Sequence, residues 1–403
     1  MKAEIRSTKA LFRTGAYVIL TAVQERSLGY ARDDDSAKHY QNSAALHYFM
    51  RRTTISHFAF LISNFSFKRR FQTESKGSTP QGLTLNPEPL NLKSIIMTIL
   101  PTLHDLPKDQ SFVLGIGFFD GCHLGHQEVF SEVKRLAKEK GAQPGVLTFY
   151  PHPMKVLAPD IHVPLLQSID EKMDALAAQG MALAVCIRPD ETFLAKSAED
   201  FLEELARLPG LVGLVTGENF SFGHGGLGKS GDLVRFFEDS RVTVRIVSLR
   251  ENAGQKISST AIRQCILAGE MEQAARFLGH PYTIRGDIVH GFRRGHDVLG
   301  FPTANLAVSE DRVLPPDGVY ATRALVKGDT FPAITNIGNN PTFGNAKKTI
   351  ETFIFDFDES IYGASFSLAW VSRIRGEMKF TLPDLLVAQI HQDIQKAKDI
   401  LHV

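Results

Sequence analysis

The chain has 403 residues, 43% of them hydrophobic and 22% charged, with a formal net charge of +1. That balance argues against a strongly basic surface for nucleic acid or membrane, and no apolar run reaches the roughly 18 residues of a membrane span. The length implies two or three domains at about 100–200 residues each. Three widely spaced cysteines, Cys122, Cys186 and Cys265, fit no metal pattern and read as free thiols in a reducing cytoplasm.

Residues 1–96 stand apart. They are richer in Lys and Arg than in Asp and Glu and sustain no period for long. They close on the Ser-, Thr-, Pro- and Gly-rich stretch Thr73–Asn91. They read as a disordered extension or as a mis-assigned start, with Met97 the initiator. A targeting peptide is the other reading, and no function is assigned to them.

From about residue 110 to 275, strand-like and helical patterns alternate. Strands are expected in Phe112–Phe119, Gly145–Tyr150, Ala182–Arg188, Leu211–Gly217 and Val242–Leu249. Helical patterns lie in Ser131–Lys140, Asp170–Gly180 and Ser197–Leu208, the last opening on a capping box of Ser197 and Asp200. Such alternation implies a parallel, helix-covered sheet, with ligands at the carboxyl ends of its strands.

One of those ends carries GFFDGCHLGH, Gly117–His126. Gly121 and Gly125 allow the backbone close to a ligand. The following helix offers unpaired N–H groups to an anion. His123 and His126 can donate to phosphate oxygens and stabilise charge during transfer at a nucleotide α-phosphate. No Walker loop occurs in the chain. Cys122 reads as a small filler. The pattern resembles the H-x-G-H signature of the nucleotidyltransferase superfamily.

Further along, Pro151 and Pro153 fix the backbone around His152 after the second strand. In Gly217–Asp232, Asn219 suits the edge of a flat heterocycle, and Phe220 and Phe222 could stack on it or belong to the core. Lys256–Gln264 sets Ser258, Ser259 and Thr260 at a helix start with Arg263 one turn on. This is either a polyphosphate cradle or an ordinary cap beside a solvated arginine.

Beyond residue 280 the pattern becomes short alternating runs broken by Gly, Pro and Asn, which reads as a small antiparallel barrel. In Gly300–Leu306, Thr303 and Asn305 point the same way on an extended segment and offer hard oxygens to Mg²⁺. Glu351 is a carboxylate alternating with Phe353, Phe355 and Phe357, so all four are expected on one side of a strand. It is either a general base or a barrel-mouth residue facing water. Arg375, Glu377 and Phe380 could clamp a ring or cap the last helix, whose apolar face is Leu386, Ile390, Ile394, Ala397 and Leu401.

From about residue 110 onward the chain resembles the bacterial bifunctional riboflavin kinase/FMN adenylyltransferase, or FAD synthetase, family. The segments GFFDGCHLGHQ, TFYPHP, GENFSFG, ISSTAIR, FLGHPYTIRGDIVHG, LGFPTANL, DGVYA, NIGNNPTFG, ETFIFDFDESIYG and RGEMKF occur in family order. The resemblance implies an α/β fold followed by a β-barrel. Residues 97–279 would be a Rossmann-like adenylyltransferase domain with a parallel sheet. Residues 280–403 would be a riboflavin-kinase-type antiparallel barrel with a terminal helix.

It also implies roles. His123 and His126 would act on the ATP phosphates, with Gly117, Phe119, Asp120, Gly125, Ser258, Ser259, Thr260 and Arg263 around them. His152, Asn219 and Phe220 would meet the flavin. Thr303 and Asn305 would hold Mg²⁺ or another divalent cation with ATP. Glu351 would take the proton of the riboflavin 5′-hydroxyl, and Arg375 and Phe380 would order the flavin loop. Riboflavin, FMN and ATP are the implied substrates, in a cytoplasmic monomer or weak homo-oligomer without nucleic-acid or membrane partners. A kinase with an inactive or differently specific first module, and a non-enzymatic flavin carrier, are the alternatives. Two departures from the family pattern are Phe118, where many relatives carry Asn or another small residue, and a longer loop at His224–Ser230.

Overall fold

The computed structural model describes residues 97–248, 251–252, 255–289, 303–339, 348–357, 359, 361 and 365–403. Expectations for residues 1–96, 290–302 and 340–347 lie outside the described residues.

The first part runs β1 (Thr98–Leu100), β2 (Phe112–Ile116), α1 (Leu124–Lys140), β3 (Gln143–Phe149), α2 (Met154–Leu157), α3 (Ile169–Ala178), β4 (Leu183–Ile187), α4 (Glu191–Leu194) and α5 (Ala198–Ala206). It continues through β5 (Leu211–Gly217), β6 (Ser221–Phe222), β7 (Gly228–Lys229), α6 (Ser230–Phe237), β8 (Thr243–Val247), β9 (Glu251–Asn252), β10 (Gln255–Lys256), α7 (Ser259–Ala268) and α8 (Met271–Leu278). The second part comprises β11 (Tyr282–Val289), β12 (Ala304–Ala307), β13 (Gly318–Val326), β14 (Asp329–Asn339), β15 (Lys348–Ile354), β16 (Ser365–Arg375) and α9 (Pro383–Leu401).

A six-stranded parallel sheet has the order β1-β4-β3-β2-β5-β8. All residues of β2 are buried, as a central strand covered on both faces requires. The order reverses between β2 and β5, so their carboxyl ends flank the crevice where such sheets bind ligands. The capping boxes Ser168/Glu171 and Ser197/Asp200 open α3 and α5. Of the six strands in this sheet, the one that periodicity does not announce is β1. It is three residues long and holds the sheet edge by pairing with β4.

The barrel closes in the order β11-β12-β15-β14-β13-β16 with antiparallel pairing. Its interior holds Tyr320, Phe366 and Trp370, all fully buried. There the hydroxyls of Thr322, Thr335 and Thr352 form a chain at 2.8 and 3.0 Å. Ile262, Ile266, Met271, Phe277 and Leu278 of α7 and α8 belong to the same apolar cluster as Tyr282, Ile284 and Trp370 of the barrel. Outside, Ala397 and Leu401 of α9 pack over Val319, Ala321, Ile334 and Phe355. Among the described residues no helix is long and apolar enough to cross a membrane.

One expectation needs correction. Phe353 and Phe355 pack with the α9 cluster, but Phe357 lies against the other, interior cluster. The strand stops at Ile354, and Asp356 takes a left-handed φ of 53°, so the two-residue alternation ends before Phe357.

Candidate active sites

The loop after β2 is shaped by three left-handed residues, Phe119, Gly121 and Cys122, with φ of 54, 86 and 40°. It delivers the chain into α1 with His123 as N-cap, whose Nδ1 accepts from the His126 N–H at 3.3 Å. The two rings stack with centroids 3.6 Å apart. A Cβ at Gly125 would lie 3.3 Å from the His123 ring, so this glycine permits the close stack. Behind His126, the buried Phe119 ring meets it edge-on at 5.3 Å. A Cβ at Gly117 would come within 2.8 Å of that phenyl ring.

Burial makes the imidazoles poor bases. It lowers His123 to about 4 and His126 well below its usual value, where the neighbouring His123 adds to the effect. His152 is likewise lowered to about 4, by burial and then by Arg263, and its Nδ1 accepts from the Met154 N–H at 3.1 Å. With Nδ1 accepting, neutral His123 and His152 carry their proton on Nε2 and present a donor. The buried Nδ1 of His126 has no hydrogen-bond partner among the described residues. Phe118 packs edge-on against His152 at 4.4 Å.

Asp120, 1% exposed, ties this loop to its surroundings. Its carboxylate accepts from Leu166 N at 3.0 Å, from Gln167 N at 3.2 Å and from Arg263 Nη2 at 2.6 Å. Ser259 Oγ donates to the Asp120 carbonyl at 2.8 Å, and Ser258 caps α7 by accepting from Ala261 N. The N-termini of α1 and α7 are thus docked side by side, with Thr260 exposed beside them. Across the crevice, Asn219 is exposed just after β5, and Phe220 stacks at 5.7 Å on the buried Phe222.

The second constellation is a row across the outer face of the barrel. Asn305 lies opposite Glu351, Glu351 opposite Asn336, Asn336 opposite Val319, and Val319 opposite Arg375. Facing residues in a ladder share a side, and Val319 packs beneath α9, so this side is the outer one. Glu351 is half-buried there. Thr303 precedes β12 and is also half-buried. The Glu377 carboxylate reaches this end of β14, 3.3 Å from where a Gly338 Cβ would stand. Arg375 gives Nε and Nη2 to Asp393 of α9 at 2.8 Å, an acceptor also bound by Gln389. Phe380, half-buried, follows on the segment before α9.

A riboflavin kinase family model matches residues 278–401, and an FAD synthetase family model matches residues 105–261. The bifunctional riboflavin kinase/FMN adenylyltransferase of Listeria monocytogenes is 38% identical over 301 residues, covering 74% of this chain and 95% of the relative. The chain belongs to this bifunctional family. Its Bacillus subtilis member is 35% identical over 73% of this chain and 94% of its own length. The Escherichia coli member is 31% identical over 75% and 97%. A crystal structure described as a macrolide-efflux protein from Streptococcus pneumoniae shares the fold. It has a TM-score of 0.69, is 31% identical, and covers 75% of this chain and 99% of that one.

The FAD synthetase match spans most of the first constellation, and the riboflavin kinase match spans the second. Three residues escape sequence reasoning. Lys172 of α3 is 1% exposed. Its Nζ donates to the carbonyls of Phe118 at 2.7 Å and Phe149 at 3.2 Å and lies 3.9 Å from the Phe118 ring centre. Asn336 joins Glu351 only through strand register. Arg312 contacts the α/β part across a long sequence gap. Only a lysine on the apolar side of a helical pattern hinted at the first, and nothing local marks the other two.

Proposed function

We propose that this chain makes FAD from riboflavin in two ATP-dependent steps, phosphorylation to FMN and adenylylation of FMN with release of pyrophosphate. The observation that carries the reading is the pair of family matches in tandem on one chain, 105–261 and 278–401, beside relatives that carry both. We assign adenylyl transfer to residues 97–279 and phosphorylation to residues 280–403, with residues 1–96 in neither. The three free thiols fit a cytoplasmic setting. We assign the substrates as its partners, with the enzyme acting as a monomer or weak homo-oligomer.

In adenylyl transfer, ATP phosphates sit over the amino ends of α1 and α7. Gly117 and Gly125 keep that approach open. Neutral His123 and His126 donate hydrogen bonds to oxygens that gain charge as the FMN phosphate attacks the α-phosphorus and pyrophosphate leaves. Ser258, Ser259, Thr260 and Arg263 contribute from the facing helix. Phe119 and Asp120 are buried, so they serve from behind. Phe119 backs His126, and Asp120 orients Arg263. His152, Asn219 and Phe220 bound the flavin side. The step is one of positioning and charge stabilisation.

In phosphorylation, Glu351 takes the proton of the flavin 5′-hydroxyl as that oxygen attacks the γ-phosphorus of ATP, and the bond to the bridging oxygen breaks to release ADP. A hydroxyl at Thr303 and an amide oxygen at Asn305, beside the Glu351 carboxylate, are hard donors that fit Mg²⁺. No trio of His, Cys, Asp or Glu that could hold a metal occurs among the described residues. A cation shared with ATP phosphates needs only one or two protein oxygens. When bound, Mg²⁺ would neutralise phosphate charge. Arg375 holds β16 to α9 and so sets the start of the segment carrying Glu377 and Phe380, where we place the flavin ring.

Incubating the full chain with riboflavin, ATP and Mg²⁺ and separating the flavins tests the reading. FMN followed by FAD is expected. FMN alone would leave a kinase with an inactive first site, and no product would leave a flavin carrier.

A further inference from the structure

Between the two parts runs the segment Pro164–Ser168, which is bonded on both sides. Toward the α/β site, the Pro164 carbonyl accepts from Arg263 Nε at 2.7 Å. Leu166 N and Gln167 N donate to the Asp120 carboxylate, and the Gln167 side-chain oxygen accepts from Gly121 N at 3.1 Å. Toward the barrel, Leu165 N donates to the Asp311 carbonyl at 2.6 Å, and Val313 N donates to the Leu165 carbonyl at 3.1 Å. Leu165 and Arg312 thereby form an isolated parallel bridge. Each of these bonds from the strap to the phosphate loop and Arg263 is made within a residue or two of one held by the barrel.

The same junction is clamped a second time. Glu171 closes the capping box of α3 by accepting from Ser168 N at 2.6 Å. Its carboxylate also accepts from Arg285 N at 2.8 Å and from the guanidinium of Arg312. Arg312 is 7% exposed, and its Nη2 donates to the Thr283 carbonyl at 3.2 Å. The residue after Glu171 is Lys172, which grips the ends of β2 and β3 through Phe118 and Phe149. An arginine on the barrel side therefore fixes the start of the helix and the strap that set Asp120, Arg263 and the loop carrying His123 and His126.

We propose that Arg312 is a positioning residue for adenylyl transfer, acting through Glu171 and the Pro164–Ser168 strap rather than by touching substrate. The proposal rests on the reading of adenylyl transfer given above. It makes the dependence of the two sites one-sided, because the barrel row of Asn305, Glu351 and Asn336 does not include Arg312. A buried acid that loses its cation, and a strap that loses one clamp, shift reacting groups by fractions of an ångström. Misplacement of about 1 Å can cost on the order of a hundredfold in rate.

The test uses the full chain and measures both reactions on each preparation: FMN to FAD, and riboflavin to FMN. Arg312→Ala is expected to lower kcat for FAD formation by roughly tenfold to a hundredfold. KM for FMN should stay within about threefold, and riboflavin phosphorylation within about twofold. Pyrophosphorolysis of FAD should fall by the same factor as its synthesis. Arg312→Lys keeps the pairing with Glu171 and should recover most of the loss. Glu171→Gln, which removes the same ion pair from the α/β side, should reproduce the deficit and carries the test if Arg312→Ala is insoluble. Unchanged FAD formation in Arg312→Ala and Glu171→Gln would overturn the proposal. So would parallel loss of both reactions, which marks a fold-wide role. A wild-type chain that makes FMN but no FAD would overturn the underlying reading instead.

Discussion

The two sites are built on opposite plans. In the α/β part, the proposed reacting groups sit on an irregular loop with three left-handed residues, and buried hydrogen bonds from distant segments hold it in shape. In the barrel, the proposed base and its neighbours are one row of a ladder, placed by strand register alone. A loop site is sensitive to residues that never meet substrate. A ladder site is sensitive mainly to the residues in the row.

The largest expected effect falls in the row. Glu351→Gln keeps shape and loses basicity, so riboflavin phosphorylation should drop by about a hundred- to ten-thousandfold, the usual worth of a general base. FAD synthesis from supplied FMN should persist. Near-normal phosphorylation would make Glu351 a structural residue of the outer face.

On the loop side, removing one donor to developing charge costs about 2.7–4 kcal/mol of barrier. His126→Ala should therefore slow FMN to FAD by about a hundredfold or more and spare phosphorylation. Equal loss of both rates would point to a folding defect.

Lys172 separates the plans further. Lys172→Met strips the Phe118 and Phe149 carbonyls of their donor, and an unmet buried acceptor costs about 1–3 kcal/mol. Urea unfolding should show a loss of that order together with slower FAD formation. No barrel residue that lies outside its row and away from the proposed ATP, Mg²⁺ and flavin contacts should slow phosphorylation in this way unless the barrel itself unfolds.

The smallest effect is on pH. In the unfolded chain His123 and His152 titrate near 6.5, whereas in the folded chain they resist protonation until about 4. Below about pH 6.5 the unfolded state binds more protons, so stability falls as pH drops toward 4 and is fully retained above 6.5. Melting curves between pH 7.5 and 5 should show this slope, and it should flatten in His123→Asn/His152→Asn. An unchanged slope would mean that these imidazoles are not buried as neutral groups.

Much of this was legible in the sequence because it is local. GFFDGCHLGH announces strand, turn and helix within a few residues, and the capping box of α5 marks its own start. The parallel sheet follows from alternation, and the barrel from short runs between turn residues. What escaped is long-range. The pairing of β1 with β4, the reach of Lys172 to two strand ends and the grip of Arg312 on Glu171 depend on tertiary approach that no window contains. Register hides Asn336 in the same way, because facing partners are set by turns and not by composition. Phe357 was misplaced because periodicity cannot report where a strand stops. Arg375, read either as part of a ring clamp or as a cap of the last helix, pairs with Asp393 of that helix, a partner that no local pattern names.

The central claim is that one chain carries two sites which pass FMN between them. Mixing His126→Ala with Glu351→Gln, each at equal concentration, and supplying riboflavin and ATP tests it most directly. Each variant alone should make little FAD, the first stalling at FMN and the second short of it. The mixture should make FAD from riboflavin, because FMN released by one variant feeds the other. A mixture that makes no more FAD than the better variant alone, with both proteins folded, would contradict the account.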